Sequence, residues 1–80
     1  MKYICRCCGC RTLDEETNGT YEICPVCFWE DDPLQSRNEN YRGGANEVSL
    51  NEAKKNYLLY GACDEKVLSL VREPFAEELL

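Results

Sequence analysis

Two Cys-x-x-Cys pairs, Cys5/Cys8 and Cys24/Cys27, stand fifteen residues apart. Thiolates at that spacing grip one edge of a tetrahedral metal ion, and the segment between the pairs can fold back to bring the two edges together. The arrangement falls within the range of four-cysteine structural zinc sites. A second register exists, because Cys7 and Cys10 also form Cys-x-x-Cys. Gly9 favours Cys5/Cys8: the residue after the second ligand often needs a positive φ, which glycine tolerates, whereas Arg11 follows Cys10. One structural Zn2+ on Cys5, Cys8, Cys24 and Cys27 is the expected centre. In the second pair Pro25 pre-sets φ after the first ligand, and Phe28 stands where symmetry would put glycine. The two knuckles are therefore expected to differ, and an iron site built on paired Cys-x-x-Cys-Gly is disfavoured against zinc. Cys7, Cys10 and Cys63 remain, with Cys63 expected as a buried, inert thiol.

The same residues bound the chemistry. The chain has no histidine, which removes the commonest general base and the commonest ligand of open catalytic zinc sites. A closed four-thiolate centre leaves no position for water, so an enzyme is not expected. Nine Lys and Arg against fifteen Asp and Glu give a net charge of −6, and the cations are scattered. Phosphate backbones and anionic membranes are poor partners for such a surface. Eighty residues make one small domain, 1–80. A chain of that size buries only roughly 60% of its unfolded surface, so a metal staple matters. The seven cysteines are an odd number, and no apolar run follows Met1-Lys2 to suggest a signal peptide. Metal-bound thiolates in a reducing cytoplasm are expected rather than disulfides.

The elements that must place these thiols are short. Residues 2–4, 11–13 and 20–23 read as strands, the last two flanking a polar turn that ends in Asn18-Gly19. At least one of Phe28 and Trp29 is expected to pack in the core beside the metal. Glu30-Asp31-Asp32-Pro33 reads in two ways. It is a helix or turn start, where acids and an early proline are favourable, or it is a spot where Trp29, Glu30, Asp31 and Asp32 meet a basic partner. Ser49-Leu50-Asn51-Glu52 is a capping box opening a helix that Gly61 ends. Leu50, Ala53, Tyr57 and Leu58 are its expected buried face. A second helix is expected over about 64–72, stopped by Pro74, and Leu79 and Leu80 offer an apolar handle in the tail. No internal repeat is apparent.

Several strings resemble the bacterial cysteine-rich CPCC domain family. They are Cys5-Arg6-Cys7-Cys8-Gly9, Tyr21-Glu22-Ile23-Cys24-Pro25-Val26-Cys27-Phe28-Trp29-Glu30-Asp31-Asp32, Arg42-Gly43-Gly44-Ala45-Asn46 and Ser49-Leu50-Asn51-Glu52-Ala53. Arg6 departs from the pattern, standing where the name-giving proline would be. The resemblance implies a small intracellular zinc-ribbon-like domain, transfers no reaction, and suggests that 29–32 and 43–46 meet near the metal lobe. The expected fold is α+β: a zinc-ribbon or rubredoxin-like antiparallel sheet followed by two C-terminal helices. The leading expectation for function is a structural-zinc module that contacts another protein through Trp29, Glu30, Asp31 and Asp32. The alternatives are a nucleic-acid-associated zinc ribbon and a thiol redox or metal-relay protein using Cys7 and Cys10.

Overall fold

The computed structural model describes residues 2–79. Leu80, expected to join Leu79 as an apolar handle, lies outside the described residues. The architecture is α+β, with a two-stranded antiparallel sheet followed by helices. Strand β1 (Tyr3–Ile4) pairs with β2 (Arg11–Leu13), matching Tyr3 with Leu13 and Ile4 with Arg11 across an irregular register. The first cysteine pair thus forms the turn of the hairpin.

Residues 20–23 do not form the expected strand beside β2. Tyr21 sits at φ 62°, outside the extended region, and only Ile23 makes a bridge, to Glu30. The cause is Asp31, which is buried. Its carboxylate accepts hydrogen bonds from the backbone N–H groups of Asn18, Gly19 and Thr20, and from the Thr20 hydroxyl. Those bonds gather the 18–20 loop around a buried side chain and satisfy it. The backbone of 21–24 meanwhile pairs with 29–31, through Tyr21 N–H to Asp31 C=O, Asp31 N–H to Glu22 C=O and Cys24 N–H to Trp29 C=O.

Asp32 caps helix α1 (Pro33–Arg37), accepting from the Leu34 and Gln35 N–H groups, with proline in the first turn. Helix α2 (Leu50–Tyr60) starts in the expected capping box: Ser49 accepts from Glu52 N–H while the Glu52 carboxylate accepts from Ser49 N–H. Gly61 ends it at φ 86°, the left-handed conformation expected there. Leu50 and Ala53 are buried against the cysteines and Tyr57 packs beside them. Leu58 does not belong to this face: it is 85% exposed, as is much of Leu59 at 74%. The second expected α-helix is a 3-10 helix, Glu65–Leu70, followed by a shorter one, Ala76–Glu78. Only Val67 of the first packs on the core, while Leu68 and Leu70 face solvent. An α-helix has too little apolar surface to bury there to offset the cost of ordering it. Among the described residues no helix is long and apolar enough to cross a membrane.

Candidate metal centre

The two cysteine pairs sit in matching backbone turns. Cys5 N–H donates to Cys10 C=O at 2.9 Å, and Gly9 N–H to Cys5 C=O at 2.9 Å. In the second turn Cys24 N–H donates to Trp29 C=O at 3.0 Å, and Phe28 N–H to Cys24 C=O at 2.7 Å. Ile4 pairs with Arg11 in one and Ile23 with Glu30 in the other. A shift of nineteen residues carries each of these positions onto its counterpart. The equivalence extends to the strained position: Gly9 has φ 78° and Phe28 has φ 69°. The expectations of unequal knuckles and of no internal repeat are thus corrected in the backbone. Phenylalanine adopts the conformation that glycine adopts freely, at a cost of roughly 1–2 kcal/mol.

The turns aim four thiols at one point. The Sγ atoms of Cys5, Cys8, Cys24 and Cys27 all lie within 4.8 Å of one another. Cys5 and Cys27 are 3.5 Å apart and Cys8 and Cys24 3.7 Å apart. Metal–sulfur bonds of about 2.3 Å in a tetrahedron place sulfurs about 3.8 Å apart, so these separations fit a four-coordinate thiolate site. Cys5, Cys24 and Cys27 are buried and Cys8 is half-buried. Two donors already point at the sulfurs. Cys10 N–H lies 3.4 Å from Cys8 Sγ, and the Thr12 hydroxyl lies 3.0 Å from Cys24 Sγ. Thr12 is a supporting residue that cysteine spacing does not reveal.

Crowding divides the protons unevenly. The Cys24 thiol is pulled well below its ordinary value, chiefly by hydrogen bonding from Cys27, then from Cys5 and Cys8. Cys8 and Cys27 are pushed up, first because each hydrogen-bonds to Cys24. A bound dication would replace the remaining thiol protons and favour all four thiolates together. Cys7 and Cys10 point into the core, 7% and 3% exposed, and are outside the four-thiol set. Cys63 is also buried; burial, then the neighbouring Cys7, pushes its thiol up to about 12. Its backbone N–H donates to Cys27 C=O at 2.8 Å, tying the end of α2 to the second knuckle.

The acidic and aromatic stretch lies mostly inside. Trp29, Asp31 and Asp32 are 1%, 1% and 6% exposed, so the expected contact surface is corrected to packing and capping residues. Trp29 lies in the cysteine core, and Asp31 and Asp32 are spent on backbone N–H groups. Only Glu30 remains half-buried, at the edge of a cavity of about 190 Å3 shared with Phe28, Asn46, Val48 and Lys66.

Residues 29–32 and 43–46 do meet, as a buried polar junction. Glu30 and Asn46 exchange bonds: Glu30 N–H donates to Asn46 Oδ1, and Asn46 Nδ2 donates to Glu30 C=O. Ala45 N–H donates to Asp32 Oδ2. Gln35, fully buried, donates from Nε2 toward the carbonyls of Tyr41, Asn46 and Val48, and its Oε1 accepts from both nitrogens of Asn46. Gly44 is required by close approach, since a Cβ there would lie 2.5 Å from Asp32 Oδ2.

The family described as Cysteine-rich CPCC matches residues 3–78 of the chain. No curated protein matches it.

Proposed function

The chain belongs to the cysteine-rich CPCC family, and from that premise we propose that it is a non-catalytic binding module whose fold is closed by one structural Zn2+. The carrying observation is the four-thiol cluster, already converged to within 4.8 Å on two matching turns. Four protein thiolates complete a tetrahedral shell, so the metal has no open position for water or substrate. Its contribution is folding energy, on the order of 10 kcal/mol for sites of this kind. Zinc rather than iron rests on the resemblance of the ligand spacing to structural zinc sites. Phe28 does not separate the two metals, because it takes the glycine-like φ. All seven cysteines are free, which suits a reducing cytoplasm.

The work of the module, in this reading, is contact with another protein. The net charge of −6 disfavours nucleic acid. Leu58 and Leu59 are largely exposed on the last turn of α2, and Leu68 and Leu70 are exposed on the following 3-10 helix, which supplies apolar side chains for such a contact.

Native mass spectrometry of protein purified without added metal tests the proposal. One zinc per chain is expected, with reversible unfolding when a chelator strips it. A folded, metal-free chain with paired disulfides would overturn it, and a visible thiolate-to-iron absorption would replace zinc by iron.

A further inference from the structure

Arg6, Asn18, Pro33, Ser36 and Arg37 surround an open cavity of about 450 Å3. Its lining is cationic in a protein of net charge −6. Ser36 is only 7% exposed, and its hydroxyl is buried with no hydrogen-bond partner. A buried hydroxyl left unsatisfied is destabilising unless something outside the chain engages it. Arg37 is exposed, and no ion pair or hydrogen bond engages its guanidinium among the described residues. Arg6 reaches Asn18 Oδ1 and pairs with Glu39 at 3.5 Å. Glu39 also faces Lys54 at 3.7 Å, so it keeps a cation if Arg6 turns to another anion. The other nearby carboxylates are occupied. Asp31 is saturated by the 18–20 loop, and Asp32 caps α1 and holds Ala45.

We propose that this cavity binds a phosphate monoester, with the phosphoryl oxygens held by Arg37, Arg6 and the Ser36 hydroxyl. Guanidinium groups match phosphate oxygens with paired, charge-assisted bonds. The hydroxyl supplies a donor where a compact tetrahedral anion presents its third oxygen. The volume lies in the range of small-molecule sites and exceeds what a bare ion needs, which leaves room for the group that carries the phosphate. Two arginines at one spot do not make a track for a nucleic-acid backbone, so the site fits the acidic overall charge. Arg6 lies in sequence between Cys5 and Cys8 of the four-thiol cluster. The proposal goes beyond the reading of a protein-binding zinc module and does not depend on which partner that module contacts.

Amide NMR titrations of the metal-loaded protein provide the test, with inorganic phosphate, O-phosphoserine and acetate as probes at matched ionic strength. Saturable shifts at Asn18, Ser36 and Arg37 are expected with both phosphates, and tighter binding of O-phosphoserine identifies the monoester over the free ion. Arg37→Gln weakens binding at least tenfold, while Lys55→Gln, remote from the cavity, leaves it unchanged. Ser36→Ala separates a ligand role from a structural one. It removes a hydroxyl with no partner, so thermal stability holds or rises while phosphate affinity falls several-fold. Acetate binding equal to phosphate, shifts that do not saturate, or unchanged affinity in both Arg37→Gln and Ser36→Ala would each overturn the site.

Discussion

The first knuckle, residues 4–11, and the second, residues 23–30, share a backbone and few side chains. Ile4, Cys5 and Cys8 have identical counterparts in Ile23, Cys24 and Cys27. Arg6 corresponds to Pro25, Cys7 to Val26, Gly9 to Phe28, Cys10 to Trp29 and Arg11 to Glu30. The burial of the differing pairs explains them. Cys7 and Val26 are both buried, as are Cys10 and Trp29, whereas Arg6 and Pro25 look outward. A four-thiolate site would require the cysteines and the turn whose positive φ follows each pair. The surrounding core dictates only that the third and sixth residues from each first ligand be apolar and fit. Cys7 and Cys10 therefore occupy packing positions that the other knuckle fills with valine and tryptophan. That is the physical reason the alternative ligand register is not the one that converges.

Equivalence of the ligands carries the largest expected effect. Cys5→Ser and Cys24→Ser should each abolish metal binding and unfold the chain, since either loss forfeits much of a contribution on the order of 10 kcal/mol. Metal content and far-ultraviolet circular dichroism measure both. A folded, metal-loaded Cys5→Ser protein beside an unfolded Cys24→Ser protein would show that the first knuckle is dispensable and the two ligand pairs are not equivalent.

The sixth positions should differ in size of effect and agree in kind. Trp29→Ala empties a fully buried site and should cost roughly 3–5 kcal/mol. Cys10→Ala removes one sulfur and should cost roughly 1 kcal/mol. Both variants should keep one metal per chain, read by chemical denaturation with metal in excess. Loss of metal from Cys10→Ala would make Cys10 a ligand and not a packing residue.

Much of this was legible because local signals acted locally. Cysteine spacing with Gly9 pointed to the four thiols that meet, and Ser49 with Glu52 marked the start of α2. Asp32-Pro33 marked α1 equally well, through the helix-start reading of the acidic stretch. What was missed depends on side chains reaching across the chain. The 20–23 strand fails because Asp31, more than ten residues away in sequence, collects three backbone N–H groups from the loop before it. Gln35 and Asn46 organise residues 41–48, yet neither residue type carries a spacing rule. The repeat did have a signal: Ile-Cys-x-x-Cys recurs at nineteen residues. It was obscured because Phe28 replaces a glycine at a position where residue identity and backbone conformation disagree.

That disagreement can be sharpened at Gly9. A Cβ there would meet nothing within 4 Å, so Gly9→Ala tests conformation without steric conflict. The expected loss is roughly 1–2 kcal/mol at unchanged metal stoichiometry, measured by the denaturation midpoint. A loss near zero would mean that the knuckle backbone tolerates any residue after the second ligand. Phe28 would then carry no strain.

The smallest effect is expected at the third position. If Cys7 is a packing residue equivalent to Val26, Cys7→Val exchanges one small buried apolar side chain for another of similar volume. Such exchanges usually cost less than about 1.5 kcal/mol. Stability should change within that bound in either direction, because the thiol has no metal to lose and valine already fills the matching site in the other turn. The informative readout is the metal: stoichiometry and competition with a chelator should be the same as in the parent protein. A marked weakening of metal affinity with the fold intact would show that Cys7, lying against the ligand shell, supports the thiolates as Val26 does not. The two knuckles would then be alike in backbone and different in how they hold the ion.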